Sequence, residues 1–349
     1  MHRLLLILLL ATLTAFGALG ASGWHWLQTP LHAAPGTVLI VAPGTSLRSL
    51  AFQMEADGLL KRPRWLVWLA RWQGDATRIQ AGEYALESSL TPKALLALLV
   101  RGDVVLHQVT LVEGWTVSQA VAAVRDHPRV QATEATASPR ALAAAIGLAS
   151  TCPEDDCPWS RLEGALFPDT YRFADGSEDI VLLRQAHERL DEELAAAWAG
   201  RETQLPLTSQ EELLVLASIV EKETALASER PRIAGVFVRR LQQGMRLQSD
   251  PTVIYGVGDA YAGDITRKHL RTDTPYNTYT RGGLPPTPIA LAGRAALEAA
   301  AHPAAGEALY FVATGDGDGS HQFSATLEEH NAAVRRYLAK QRQQQAVTP

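Results

Sequence analysis

Apolar residues fall into three regimes along the chain. Leu4 to Ala21 is an unbroken run of 18 uncharged residues behind His2 and Arg3. As a helix it spans about 27 Å at ~1.5 Å per residue, just enough to cross a bilayer core of about 30 Å within the roughly 17–25 residues such spans use. From Val38 to Gly102, short apolar segments alternate with capping and turn residues. Val38–Ala42 predicts a strand, and Ser46 caps a helix that runs to Asp57 and stops at Gly58. A second helix covers Pro63–Trp72, a strand Ile79–Leu86, and a helix capped by Thr91 reaches Arg101. Beyond Val104, a strand to Val112 leads into a helix from Glu113-Gly-Trp-Thr116 to Asp126, and Ala132–Ala149 predicts an alanine-rich helix. Ile180–Trp198 predicts a long helix, and a further one runs from Glu229-Arg-Pro231 to Gly244. Met245–Pro288 is Gly/Pro-rich, polar and almost aperiodic, a length of loop uncommon in a compact domain unless it builds a site. Ala308–Ala313 predicts a buried strand, Gly315–Gly319 a turn, and Leu327–Gln341 a closing helix.

The most informative pattern is Leu213-Leu-Val-Leu-Ala-Ser-Ile-Val-Glu-Lys-Glu-Thr224. Ser209 and Glu212 form an S-x-x-E helix start ahead of it. At 100° per residue, Leu213, Leu216, Ala217, Ile219 and Val220 share one face. Glu223 follows Ile219 and Val220 by four and three residues and so projects from that face. Glu221 points well off it and Lys222 roughly opposite. A carboxyl forced onto an apolar face is desolvated and holds its proton near neutrality, as a general acid must. The competing reading is a helix end turning into solvent with both glutamates exposed.

At 349 residues there is room for two or three domains with real cores. A net charge of −5 gives no sign of nucleic-acid binding. Cys152 and Cys157 are the two cysteines. No histidine lies close to them in sequence, so a short-loop disulfide is the plainer reading than a metal site, with about 2 kcal/mol of chain-entropy stabilisation. His302, His321 and His330 are scattered, and no H-E-x-x-H, Walker loop or G-x-S-x-G elbow occurs. No metal or cofactor is expected.

Three other segments carry a resemblance: Leu162-Glu-Gly-Ala-Leu-Phe-Pro-Asp-Thr-Tyr171, Gly244-Met-Arg-Leu-Gln-Ser-Asp-Pro-Thr-Val-Ile-Tyr-Gly256 and Pro275-Tyr-Asn-Thr-Tyr-Thr-Arg-Gly-Gly-Leu-Pro-Pro286. With Ala217–Thr224 and Ala301-His-Pro303, in this order, they resemble the endolytic murein transglycosylases (the YceG-like, MltG family) from about Val38 to Tyr337. The resemblance implies cleavage of the MurNAc–GlcNAc bond of peptidoglycan without water, leaving 1,6-anhydro-MurNAc ends on nascent strands. It implies a catalytic glutamate within Glu221-Lys-Glu-Thr224. Ile219–Thr224 is also similar to the I-x-x-x-E-S pattern of other lytic transglycosylases, which selects Glu223 and leaves Glu221 as a secondary candidate. It further implies an α+β fold: an N-terminal transmembrane helix (1–27), a linker (28–37), a small LysM-like α/β subdomain (38–103), a larger mixed α+β catalytic domain (104–342) and a frayed tail (343–349). A membrane-anchored, single-pass protein of the cell inner membrane with its catalytic domain in the periplasm follows, with cell-wall synthases as partners. A cleaved signal peptide, processed near Ala18-Leu-Gly-Ala21, is the rival reading of the first segment.

A glycan groove needs hydrogen-bonding side chains and flat apolar surfaces. Gln248, Ser249, Asp250, Tyr276 and Asn277 are the substrate-binding candidates, with Tyr255, Thr278 and Tyr279 in the same region. Either Tyr276 or Tyr279 could instead be packed. Asp250 reads as a turn residue accepting backbone N–H groups, as a second acid, or as a stabiliser of a cationic centre. Glu163 touches substrate or pairs with an arginine to shape the groove. Two alternatives remain at this stage: a hydrolase of the same bond, and a catalytically silent peptidoglycan-binding scaffold.

Overall fold

The computed structural model describes residues 2–153 and 157–347, with the side chains of residues 2–6, 8 and 344–347 outside the description. The fold is mixed α+β and divides into two compact units, residues 1–107 with 172–177 and residues 108–171 with 178–349.

The first unit contains α1 (His2–Gln28), β1 (Thr37–Val41), α2 (Leu47–Ala56), α3 (Pro63–Gln73), β2 (Gly82–Leu86) and α4 (Pro92–Arg101). β1 and β2 pair antiparallel, from Thr37 opposite Leu86 to Val41 opposite Gly82. Leu39, Val41, Tyr84 and Leu86 face the core while Val38 and Ile40 face outward, the period-two pattern of a half-buried sheet. The caps sit where the sequence places them. Ser46 and Thr91 accept the amides of Ser49 and Ala94, and Gly58 and Gly102 take left-handed conformations past the helix ends. Among the described residues, no helix is long and apolar enough to cross a membrane. The expected span Leu4–Ala21 opens on side chains that lie outside the description.

Strands β3 (Leu106–Thr110), β4 (Val130–Gln131), β5 (Thr170–Ala174) and β6 (Ser177–Glu178) and helices α5 (Val117–Arg125), α6 (Pro139–Ala145) and α7 (Asp179–Gly200) precede the central helix α8 (Gln210–Glu223). The helix expected over Ala132–Ala149 is broken into a 3-10 turn at Glu134–Thr136 and the short α6. Ser138 caps α6 ahead of Pro139, which ends any helix arriving from upstream. Cys152 and Cys157 are joined, with their Cα atoms 5.4 Å apart.

In α8, Leu213, Leu216, Ala217, Ile219 and Val220 are all fully buried. Leu214, Val215 and Ser218 are buried too, so the helix is sheathed on nearly every side. α9 (Arg230–Gln242) and α12 (Arg294–Ala301) pack against it. The alanines of α12 let the backbones approach closely. Ser218 satisfies its hydroxyl by donating to Val215 O (2.7 Å) and accepting from Ile289 N (3.0 Å). Between α9 and α12 lie α10 (Asp250–Val257) and α11 (Arg267–Arg271), in the stretch that reads as loop. β7 (Tyr310–Ala313) and β8 (His321–Ser324) form an antiparallel hairpin over the predicted glycine turn, and α13 (Leu327–Val347) closes the unit. α13 continues to Val347 and takes in most of the tail expected to fray.

Candidate active site

Glu223 is the last residue of α8 and borders a cavity of about 420 Å³. Arg240 of α9, Gln248 and Asp250 at the start of α10, Tyr279, Tyr310 of β7 and His330 of α13 share the lining. Burial pushes the Glu223 carboxyl up to about 7, and the negative charge of Asp250 adds to the rise. The hydroxyl of Ser249, which donates to Glu223 Oε1 at 2.5 Å, and the Arg240 cation act in the opposite sense. The helix C-terminus is itself a poor place for negative charge. A carboxyl half-protonated near neutrality can deliver a proton and take one back with similar ease.

The Ser249 hydroxyl is placed by a short network. Ser249 N donates to Thr278 Oγ1 (2.9 Å), which also bonds Thr252 Oγ1 (2.9 Å), and the Thr252 hydroxyl donates to Ser249 O (2.7 Å). Gln248 N donates to Thr278 O, and Gln248 adopts a left-handed φ of 52°, a conformation costing about 1–2 kcal/mol outside glycine. That turn aims Ser249 at Glu223 while Gln248 and Asp250 border the cavity. Asp250 accepts the Tyr279 phenol at 2.6 Å, not backbone amides as a simple turn aspartate would. Burial and Asp250 raise the phenol's own pKa, so Tyr279 stays a donor.

Arg240 is 7% exposed. Its guanidinium donates to the carbonyls of Leu309 (2.6 Å), Leu247 (2.7 Å) and Arg246 (3.3 Å), which fixes a positive charge in the wall. His330 stacks on Tyr310 with centroids 5.2 Å apart. Burial and the Arg240 charge depress its pKa, and Nδ1 has no protein partner.

The other candidates stand elsewhere. Asn277 is buried and donates to the carbonyls of Thr272 (2.7 Å), His269 and Leu270 (3.2 Å each), while its Oδ1 accepts Tyr279 N. It locks the loop that presents Tyr279 and does not line the cavity. Tyr276 packs edge-on against Tyr255 (4.8 Å) and bonds Thr287. Glu163 is buried, accepting from Val117 N (2.7 Å), Gly164 N (3.4 Å) and the Tyr255 hydroxyl (2.9 Å), and burial pushes it up to about 7. It therefore caps α5, with neither an arginine nor the cavity as its partner. Gly164 follows with φ 77°, where a Cβ would meet Pro288 at 2.7 Å, so only glycine fits.

Glu221 is a correction to helical-wheel geometry. Its side chain is only 4% exposed, bonded to Arg230 (2.8 Å) and to Gly293 N (3.0 Å). α9 and the segment leading into α12 cover the side of α8 that one-sided amphipathicity leaves to solvent. Burial raises its pKa, but its two oxygens are already engaged. Arg240, Tyr310, Phe311, Leu327, His330 and Asn331 line the cavity and lie outside the motifs. Only Arg240 leaves a sequence trace, as a cation four and three residues beyond Val236 and Phe237 and so on the buried face of α9. Among the described residues, one trio brings three metal-ligating groups together: Glu83, His107 and Asp175, with ligand atoms within 4.8 Å of one another.

A model of the YceG-like family matches residues 39–336. The chain is 32% identical over 317 residues to the endolytic murein transglycosylase of Bacillus subtilis, covering 87% of this chain and 85% of that protein. It is 29% identical to that of Streptococcus pneumoniae, covering 85% of this chain and 58% of the longer relative. A crystal structure of a YceG-like protein from Listeria monocytogenes superposes with a TM-score of 0.54 at 28% identity, over 86% of this chain and 99% of that one.

Proposed function

This chain belongs to the YceG-like family, and on that premise we propose that it is an endolytic murein transglycosylase whose acid and base are both Glu223. One observation carries the assignment: the carboxyl that ends α8 meets an open cavity with its pKa near 7. In the first half-reaction protonated Glu223 gives its proton to the glycosidic oxygen as the bond to C1 of MurNAc breaks. In the second the carboxylate takes the C6 hydroxyl proton while that oxygen attacks C1, closing the 1,6-anhydro ring and restoring the acid. No water enters, and no second carboxyl has to activate one, unlike most glycoside hydrolases. Asp250, held by the Tyr279 phenol, supplies negative charge toward the cationic sugar centre. Arg240 counters the carboxylate form of Glu223 between the two steps.

Leu4–Ala21 anchors the protein in the cytoplasmic membrane and leaves both units outside the cytoplasm, where nascent glycan and its synthases lie. Its uncharged length supports this, as does the exposure of Ile7, Leu9, Leu10, Leu13, Phe16 and Leu19 along α1. The first unit, with its LysM-like order of elements, binds glycan.

Glu223→Gln tests the catalytic assignment. The amide still accepts the Ser249 hydroxyl but carries no proton to give, so strand cleavage falls by about 10²–10⁴-fold, toward the upper end because both transfers are lost. Cleavage of uncrosslinked glycan by this variant at near wild-type rate contradicts it.

A further inference from the structure

The outward face of α3 carries a composition that neither the core nor the catalytic site explains. Lys61 to Gly74 contains four cations, three tryptophans and no carboxylate. Leu66, Val67, Leu69 and Ala70 turn inward and are buried. Arg64, Trp68, Arg71 and Trp72 recur at i, i+4, i+7 and i+8, so they share the opposite face. Trp68 is 69% and Trp72 75% exposed. Two large aromatic rings in water, flanked by cations, are an unusual use of surface.

α3 is also fastened to the end of α1. Trp26 packs edge-on against Trp65 (5.7 Å) and donates its indole N–H to Lys61 O (2.8 Å). Arg62 donates to Ser22 Oγ (2.9 Å) and lies over the Trp65 ring. An apolar cavity of about 440 Å³ runs between the helices, and Leu19, Gly23, Trp65 and Trp68 are in its wall. Trp68 therefore stands level with Leu19, which lies inside the apolar run that ends at Ala21. Trp24, on the same turn of α1 as the end of that run, is equally exposed at 69%.

We propose that α3 is an interfacial helix: Trp68 and Trp72 insert at the headgroup level of the bilayer that α1 spans, while Arg64 and Arg71 contact anionic lipid phosphates. This rests on reading α1 as an uncleaved anchor. If Leu19 is in the hydrocarbon, the fixed docking of α3 leaves Trp68 nowhere but the interface. Tryptophan at this depth and cations beside it are what a bilayer boundary selects. The first unit is then held flat against the membrane, with no swing on a flexible stalk.

The test uses the full chain in vesicles of phosphatidylethanolamine and phosphatidylglycerol. Because Cys152 and Cys157 are bonded to each other, single cysteines at Leu13, Trp68, Trp72 or exposed Arg78 accept a nitroxide label selectively. Collision with oxygen, which partitions into lipid, is compared with collision with a water-soluble nickel chelate. The proposal expects position 13 deep in lipid, positions 68 and 72 at shallow interfacial depth, and position 78 in water. Position 13 in lipid with 68 and 72 as water-exposed as 78 overturns the interfacial helix and leaves the anchor standing. Position 13 in water refutes the anchor, and the interfacial helix falls with it.

Discussion

Removing the Ser249 hydroxyl should move the pH dependence of cleavage without removing the catalytic group. Ser249 donates to Glu223 Oε1, and a hydrogen bond to a charged acceptor is worth about 1.5–3 kcal/mol. That bond favours the carboxylate over the acid. Since 1.36 kcal/mol corresponds to one pH unit, Ser249→Ala raises the half-titration of Glu223 from about 7 to roughly 8–9. The first proton transfer needs the protonated form, so kcat/KM descends with rising pH as Glu223 ionises. The descending limb therefore lies near pH 7 in the wild type and about one to two pH units higher in Ser249→Ala, whatever happens to the plateau rate. Asp250→Asn provides a perturbation of opposite sign. The amide oxygen can still accept the Tyr279 hydroxyl, but the charge that raises Glu223 is gone, and the limb moves to lower pH. Initial rates on uncrosslinked glycan, quantified by chromatography of the fragments from pH 5 to 10, provide the measurement. A limb that stays in place in both variants, or moves the same way in both, refutes the assignment of that limb to Glu223.

Glu221→Gln should keep cleavage within a few-fold of wild type yet lower stability by about 2–3 kcal/mol in chemical denaturation. It breaks a buried ion pair with Arg230, and the loss stays below the usual ~3–5 kcal/mol because Glu113 remains 3.6 Å from the guanidinium. Glu163 gives a pH-dependent signature. Its folded pKa, near 7, lies above the unfolded value of 4.5, so the folded state binds more protons between these limits and loses stability as pH rises through them. Glu163→Gln should flatten that decline by up to about 3 kcal/mol between pH 4.5 and 7, and an unchanged slope in urea titrations would show that the carboxyl is not held protonated.

Local signals in the sequence carry most of the helices, because a cap, a stop glycine or a one-sided apolar stripe acts within a single turn. Ser46, Thr91 and Ser209 all cap helices as read, although Glu212 bonds Thr208 in place of completing a reciprocal box with Ser209. The buried face of α8 and the position of Glu223 at its end are likewise local. What α8 meets on its other sides is not. Glu221 reads only as pointing off the apolar stripe, because nothing nearby announces that Arg230 and Gly293 fold over it. α12 is eight residues, mostly alanine, with too little periodicity to stand out. The cavity draws Arg240, Tyr310 and His330 from three distant elements, so their convergence is a property of the fold. Asn277 and Tyr276 stand in a motif that looked like substrate recognition, yet their hydrogen bonds and packing hold the loop carrying Tyr279.

On the proposed mechanism the C6 hydroxyl of MurNAc, not water, attacks C1, with Glu223 as the sole acid and base. Digestion of uncrosslinked glycan in H₂¹⁸O, followed by mass spectrometry of the fragments, distinguishes the two nucleophiles. A lyase leaves 1,6-anhydro ends with no heavy oxygen at C1, which is the expected result. One ¹⁸O on each new reducing end would contradict it and make Asp250 the carboxylate that activates water.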